Sequence, residues 1–193
     1  MPIHWHNDLE INLIREGEAV FQVYQKSYRV RTGEGFLLNR NVPHSCSSPG
    51  NEHVRYSTIL VRPDFLYGDF GSDVERKCFQ PFLQNSAIPC IYLTGFDENG
   101  KEILQKLNQV EEAFDRKRFC YELKIKGLLC EAFAMILYGH RQELTKFVPA
   151  NLQELERLEK MLNYLNMHFT EVISLQDLAD QVHLSREVCC RLF

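Results

Sequence analysis

No apolar run in this chain of 193 residues approaches the roughly 18–20 residues that a membrane-spanning helix needs. Its start, Met1-Pro2-Ile3-His4-Trp5-His6, has neither a basic opening nor an apolar stretch, so it does not read as an export signal. The seven cysteines show no C-x-x-C spacing, and an odd number cannot all pair. These absences favour reduced thiols in a cytoplasm and no membrane partner. A basic excess is missing too. Lys and Arg number 22 against 26 Asp and Glu, a net charge of −4, which is unusual for a protein held to nucleic acid by a broad basic surface. Residues 151–193 do not repair the deficit, with four Lys/Arg against seven Asp/Glu, a net of −3. Any nucleic-acid role must therefore rest on pattern rather than on charge.

What is present is ordinary globular sequence, with room for one sizeable domain and a smaller piece. The first part reads as strands. Leu9–Ile14 alternates, Ala19–Tyr24 and Ser27–Val30 flank a turn at Gln25-Lys26, Phe36–Leu38 follows Gly33-Glu34-Gly35, and Tyr56–Val61 ends at Arg62-Pro63. Short strands at this spacing predict a small antiparallel barrel or jelly roll. A short helix is expected over 73–84, and extended chain returns at Ile88–Thr94. Ile103, Leu104, Leu107, Val110 and Phe114 then recur at helical spacing over 97–117, and Leu128, Leu129, Ala132, Phe133, Ile136 and Leu137 over 121–140. The pair offers more apolar surface than one barrel needs. It serves either as intramolecular core or, as the preferred expectation, as a dimerisation element around Leu104–Phe114 and Leu128–Leu137. Leu9, Ile11 and Leu13 make the outer face of the first strand apolar, so a cover is required there, most simply these helices.

Thr145–Asn151 reads as a linker, and Leu152, Leu155, Leu158, Leu162, Leu165 and Phe169 form an apolar stripe beyond it. Ile173–Phe193 carries two short capped helices. Ser174 caps the first near Asp177, and Leu175, Leu178 and Val182 give it a buried face, with Ala179 small enough for a close crossing. His183-Leu184 makes the turn, where His tolerates positive φ. Ser185 caps the second helix, which puts Cys189, Leu192 and Phe193 on one face. This is the pattern of a helix-turn-helix.

With its Leu-Ala-x-x-x-x-Leu-Ser start at Leu178 and its Arg191-Leu192-Phe193 finish, the segment resembles the first helix-turn-helix of AraC/XylS-family regulators. The stripe from Leu152 to Phe169 resembles that family's first DNA-domain helix. The resemblance implies that Cys189 takes the place of a buried leucine, that Glu187, Cys190 and Arg191 face bases, and that Arg186 sits at the phosphate edge. Arg191 would then donate to guanine and Glu187 would accept from a cytosine amine. Such domains have two helix-turn-helix units, so this chain is expected to be truncated inside the first recognition helix.

At the other end, His4-x-His6-x-x-x-Glu10-x₆-Gly17 resembles the first cupin motif, and His44, after Val42-Pro43, falls where the second motif places its histidine. Positions 4, 6 and 10 share strand parity, so one strand would point all three side chains to one face. Three imidazoles and a carboxylate suit a divalent transition metal with positions left open. A polar effector pocket without metal and a structural remnant are the other readings.

The expected architecture is α+β: a cupin-like barrel with a dimerisation helix pair over 1–144, then an incomplete all-α helix-turn-helix domain over 152–193. The expected function is a DNA-binding transcription regulator and not an enzyme. It would form a homodimer and respond to a small-molecule effector, for example a sugar, held by His4, His6, Glu10 and His44. The competing expectation is a metal-dependent cupin enzyme, a dioxygenase or sugar isomerase, using the same four residues.

Overall fold

The structure, a computed structural model, describes residues 1–50, 53–146, 157, 160–161, 163–165 and 167–192, the last two by their backbone. The chain divides into two units, Met1–Pro149 and Ala150–Phe193. Among the described residues no helix is long and apolar enough to cross a membrane.

The described residues of the first unit hold seven strands: β1 (Leu9–Glu16), β2 (Glu18–Val23), β3 (Lys26–Arg31), β4 (Gly35–Leu38), β5 (His44–Ser47), β6 (Arg55–Val61) and β7 (Cys90–Leu93). They form two antiparallel sheets, in the orders β6-β1-β4-β7 and β3-β2-β5. β2 shows how the sequence dictates burial. Ala19, Phe21 and Val23 are buried while Glu18, Val20 and Gln22 are half-buried, as a strand with one covered face requires. The β2–β3 turn falls at Tyr24-Gln25, one residue earlier than the sequence suggested, with Tyr24 at φ 50°. Gly17 turns β1 into β2 at φ 80°, and a Cβ there would lie 2.5 Å from the His53 carbonyl oxygen.

Both sheets feed one inner core. Ile14, Phe36 and Leu38 from the first sheet meet Ala19, Phe21, Val23, Val30 and Cys46 from the second. Phe21 and Phe36 stack at 4.8 Å between ring centroids and are fully buried, each contributing about 1.5–3 kcal/mol of burial.

A second core lies on the outer face of the four-stranded sheet. Leu9, Ile11 and Leu13 pack in one cluster with residues of α3 (Glu98–Arg116) and α4 (Tyr121–Gly139). These helices are therefore the cover that the apolar outer face of β1 required. α3 begins at Asp97, whose side chain accepts the Gly100 amide at 2.6 Å. Of the stripes expected to pair subunits, Ile103, Leu104, Leu107, Val110, Leu129, Ala132, Phe133, Ile136 and Leu137 are buried in this core. Phe114 is left exposed.

Between β6 and β7 lie α1 (Pro63–Tyr67) and, where one helix was expected over 73–84, a π turn at Glu75–Phe79 that runs into α2 (Gln80–Leu83). Pro81 supplies a reason: it has no N–H, so the regular bond back to residue 77 cannot form. A short α5 (Arg141–Leu144) follows α4.

The β1–β6 register shifts between Ile14 and Glu16, which puts Arg15 in a bulge. Its guanidinium donates to Ser57 Oγ at 3.1 Å and Asn108 Oδ1 at 2.6 Å, and pairs with Glu111. The bulged residue thus ties β1 to β6 and to α3.

In the second unit, two short helices, Leu175–Gln181 and Arg186–Leu192, flank a turn. Ser174 forms a capping box: its Oγ accepts the Asp177 amide at 3.2 Å, and Asp177 Oδ2 accepts the Ser174 amide at 2.8 Å. His183 takes φ 53°, as expected for the turn, and Ser185 Oγ accepts the Val188 amide at 3.4 Å. Ala179, Val182, Cys189 and Met161 are buried together, with Leu175 and Leu178 partly buried against them. Leu152, Leu155, Leu158 and Leu162 of the expected stripe, and residues 147–151 of the expected linker, lie outside the described residues. Leu165 is half-buried. Phe169, counted in the stripe on spacing alone, is instead 79% exposed: the helix has already given way to a turn there.

Candidate functional site

His4, His6, Glu10 and His44 come together, each offering one ligand atom, all within 4.8 Å of one another. The route differs from the one their spacing suggested. β1 begins only at Leu9, so His4 and His6 precede it and share no strand with Glu10. His4 instead forms an antiparallel bridge with His44, the first residue of β5, through two N–H···O bonds of 2.9 Å. The centre therefore joins the two sheets, with Glu10 from one and His44 from the other. Glu10 and His44 are buried; His4 and His6 are half-buried and leave the centre open on that side.

Each imidazole is held by a carbonyl oxygen two residues before or after it. Nδ1 lies 3.0 Å from the Pro2 oxygen in His4, 3.0 Å from the Asp8 oxygen in His6 and 2.8 Å from the Val42 oxygen in His44. A carbonyl can only accept, so Nδ1 carries the proton and Nε2 is the ring nitrogen left over. For His6 and His44, Nε2 meets the same oxygen, Glu10 Oε2, at 2.8 and 3.2 Å. A lone pair facing a carboxylate is repulsive, so each contact needs a proton or a metal cation in between. Without a metal, a proton serves between His6 and Glu10. The His6 imidazole is raised above its ordinary value, chiefly by its bond to Glu10 and against the opposing effect of burial. Burial alone would push the Glu10 carboxyl up, but the bonds from His44, His6 and Asn12 outweigh it and hold the group far below the usual carboxylate range.

A metal ion fits the same donors. Ligand bonds of about 2.0–2.1 Å place neighbouring donor atoms about 3 Å apart, close to the two His–Glu separations. Carbonyls that fix the tautomer of ligating histidines are the usual outer support of such sites.

Two residues absent from the sequence reading complete the centre. Asn12 Nδ2 donates to Glu10 Oε1 at 2.7 Å, and Thr58 Oγ1 donates to Asn12 Oδ1 at 2.7 Å. The signal for Asn12 was available: with Glu10 it is one of two polar residues, both of the same parity, in the otherwise apolar stretch Leu9–Ile14. Thr58 is brought opposite by the β1–β6 register, which no local pattern encodes.

Of the residues expected to face DNA, Arg186, Glu187 and Cys190 are exposed on the helix Arg186–Leu192, and Cys189 is buried in the leucine-like place. The Arg191 side chain lies outside the described residues.

Residues 1–133 match the family model described as the AraC-like ligand binding domain. The chain belongs to this family. An AraC-like ligand-binding domain is a regulator's sensor rather than an enzyme, and the enzyme reading of the four residues is set aside on that ground. Along its whole length the chain is 26% identical over 194 residues to YdeC, an uncharacterized HTH-type transcriptional regulator of Bacillus subtilis, and spans 65% of that protein. Among solved structures, an apo form of ToxT from Vibrio cholerae aligns at 14% identity, over 97% of this chain and 66% of ToxT, with TM-score 0.49. The AraC-like transcriptional activator CuxR aligns at 13% identity, over 97% of this chain and 61% of CuxR, with TM-score 0.46. The AraC-like assignment rests on the family match and not on these weak structural likenesses.

Proposed function

We propose that the protein is a transcription regulator whose 1–144 region binds a small-molecule effector, such as a sugar, at His4, His6, Glu10 and His44. Residues 152–193 act as its helix-turn-helix DNA-reading domain. The observation that carries this reading is the polar four-residue centre inside a unit that belongs to a ligand-binding family. Glu10 and His44 are buried but paired, and the half-buried His4 and His6 leave the cluster accessible to an occupant. Calorimetric titration with a panel of monosaccharides and aromatic acids tests it. Saturable binding that is lost in Glu10→Ala is expected; binding unchanged in that variant overturns the assignment.

A divalent transition metal as part of that occupant is favoured by one observation, the tautomers that carbonyls impose on three histidines. The metal would hold and polarise the oxygens of a bound effector.

DNA contact is assigned to Arg186 at the phosphate edge and to Glu187, Cys190 and Arg191 at the bases, on a helix whose opposite side is buried through Cys189. Promoter-fragment binding by the whole regulator, with and without Arg186→Ala, tests this part; unchanged affinity and salt dependence would count against it. Homodimerisation is assigned to the surface that the helix pair leaves free, where Phe114, Leu123 and Tyr138 are exposed at 55%, 71% and 69%. A dimer suits a regulator that reads two half-sites. Light scattering should report a dimer that Leu123→Glu dissociates, whereas a wild-type monomer would refute the assignment.

A further inference from the structure

The hydrogen-bond relay behind Glu10 divides the labour between its two oxygens. Oε2 receives both histidines, and Oε1 receives Asn12. Asn12 is fully buried and has one workable amide orientation. Its NH₂ must face the carboxylate, and its oxygen then accepts the Thr58 hydroxyl, as the distances show. Glu10, Asn12 and Ile14 stand opposite Leu60, Thr58 and Tyr56 on one face of the sheet. On that face Leu60 is 58% exposed and Thr58 is exposed, so the edge strand β6 leaves the approach open.

We propose that Asn12 and Thr58 are positioning residues that hold Glu10 to ligation of a divalent ion through one oxygen, which leaves room for an effector with two adjacent oxygen donors, a hydroxy acid or a vicinal diol. The proposal rests on the metal-bound reading of the site. Three imidazoles and one carboxylate oxygen supply four ligands, and a six-coordinate ion then keeps two positions. If Glu10 swung to bind through both oxygens, one of these would be lost, and a two-oxygen ligand could no longer chelate. The donated Asn12 amide commits Oε1 elsewhere, and the Thr58 hydroxyl keeps that amide from turning.

Cobalt(II) is the probe, because its visible absorption reports coordination number and its titration gives affinity. The whole chain should bind Co²⁺, and acetohydroxamate, a two-oxygen chelator, should change the absorption where acetate changes it little. Thr58→Val and Asn12→Leu should each weaken Co²⁺ binding by about ten- to hundredfold, shift the absorption before any chelator is added, and blunt the acetohydroxamate response. Thr58→Ser, which keeps the hydroxyl, should behave as wild type. If Asn12→Leu fails to fold, Thr58→Val on the open edge strand carries the test alone. Wild-type affinity and spectrum in folded Thr58→Val would overturn the relay while leaving the metal site standing. A wild-type chain that does not bind Co²⁺ would overturn the metal reading and the relay with it.

Discussion

Leu107→Ala separates the two roles that the long helices could play. Leu107 is fully buried on α3, in the cluster that includes Leu9, Ile11 and Leu13 of β1. The substitution removes three carbon atoms, worth about 2.4 kcal/mol at about 0.8 kcal/mol each. The cavity left behind adds to that, because α3 is held on the sheet by the Arg15 contacts and cannot collapse freely, and a loss of about 3–4 kcal/mol results. Urea unfolding at several protein concentrations is the assay. The midpoint should fall, the slope should stay the same, and the loss relative to the unsubstituted chain should be equal at every concentration; in a thermal scan about 3 kcal/mol corresponds to about 6–12 °C. A residue at a subunit interface would behave differently: its loss would show on dilution and hardly touch the stability of the monomer. A measured loss under about 1 kcal/mol, or one that appears only at low concentration, would refute the placement of Leu107 in the protomer core.

Gly17→Ala should destabilise the first unit by more than the about 1–2 kcal/mol of a left-handed non-glycine residue, because its Cβ would also press on the His53 carbonyl; chemical denaturation checks this, and a neutral result would be incompatible with the turn. Without added metal, the His6–Glu10 pair should make stability peak between about pH 4.5 and 6.5. The raised His6 value contributes stability below its unfolded value that is lost as pH rises through the folded one. The lowered Glu10 value contributes above its unfolded value and is lost as pH falls. Glu10→Gln should flatten this profile, and an unaltered profile would sink the pairing. Ser174→Ala should cost about 1 kcal/mol of local stability, read as faster amide exchange at Asp177 while the amides of the first unit are unchanged.

Much of this arrangement was legible in the sequence where the signal is periodic. The apolar face formed by Leu9, Ile11 and Leu13 required a cover for the sheet, and α3 and α4 provide it. Ser174 and His183 stand at positions whose side chain or φ angle marks a helix end, and local chemistry suffices to find them. The four residues of the centre were identifiable, but the reason given for their meeting was not the operative one. Strand parity does not join His4 to Glu10; the bridge between His4 and His44 does, across forty positions of chain. Long-range pairing of that kind leaves no local trace. Thr58 was invisible for the same reason, and the π turn at Glu75–Phe79 because proline signals a disturbance without naming its form.

The bulge at Arg15 has a consequence for how the gene can change. Side chains of β1 alternate between the polar centre and the helix-covered core, so a one-residue slip exchanges Glu10 and Asn12 with Leu9 and Ile11. Arg15, bonded to β6 and α3 together, locks the strand against such a slip. An inserted or deleted codon between Leu9 and Ile14 therefore cannot be absorbed by sliding the strand, whereas the turn at Tyr24-Gln25 can lengthen without moving any residue of the centre. Length variation among working versions of this domain should gather at such turns and leave β1 untouched.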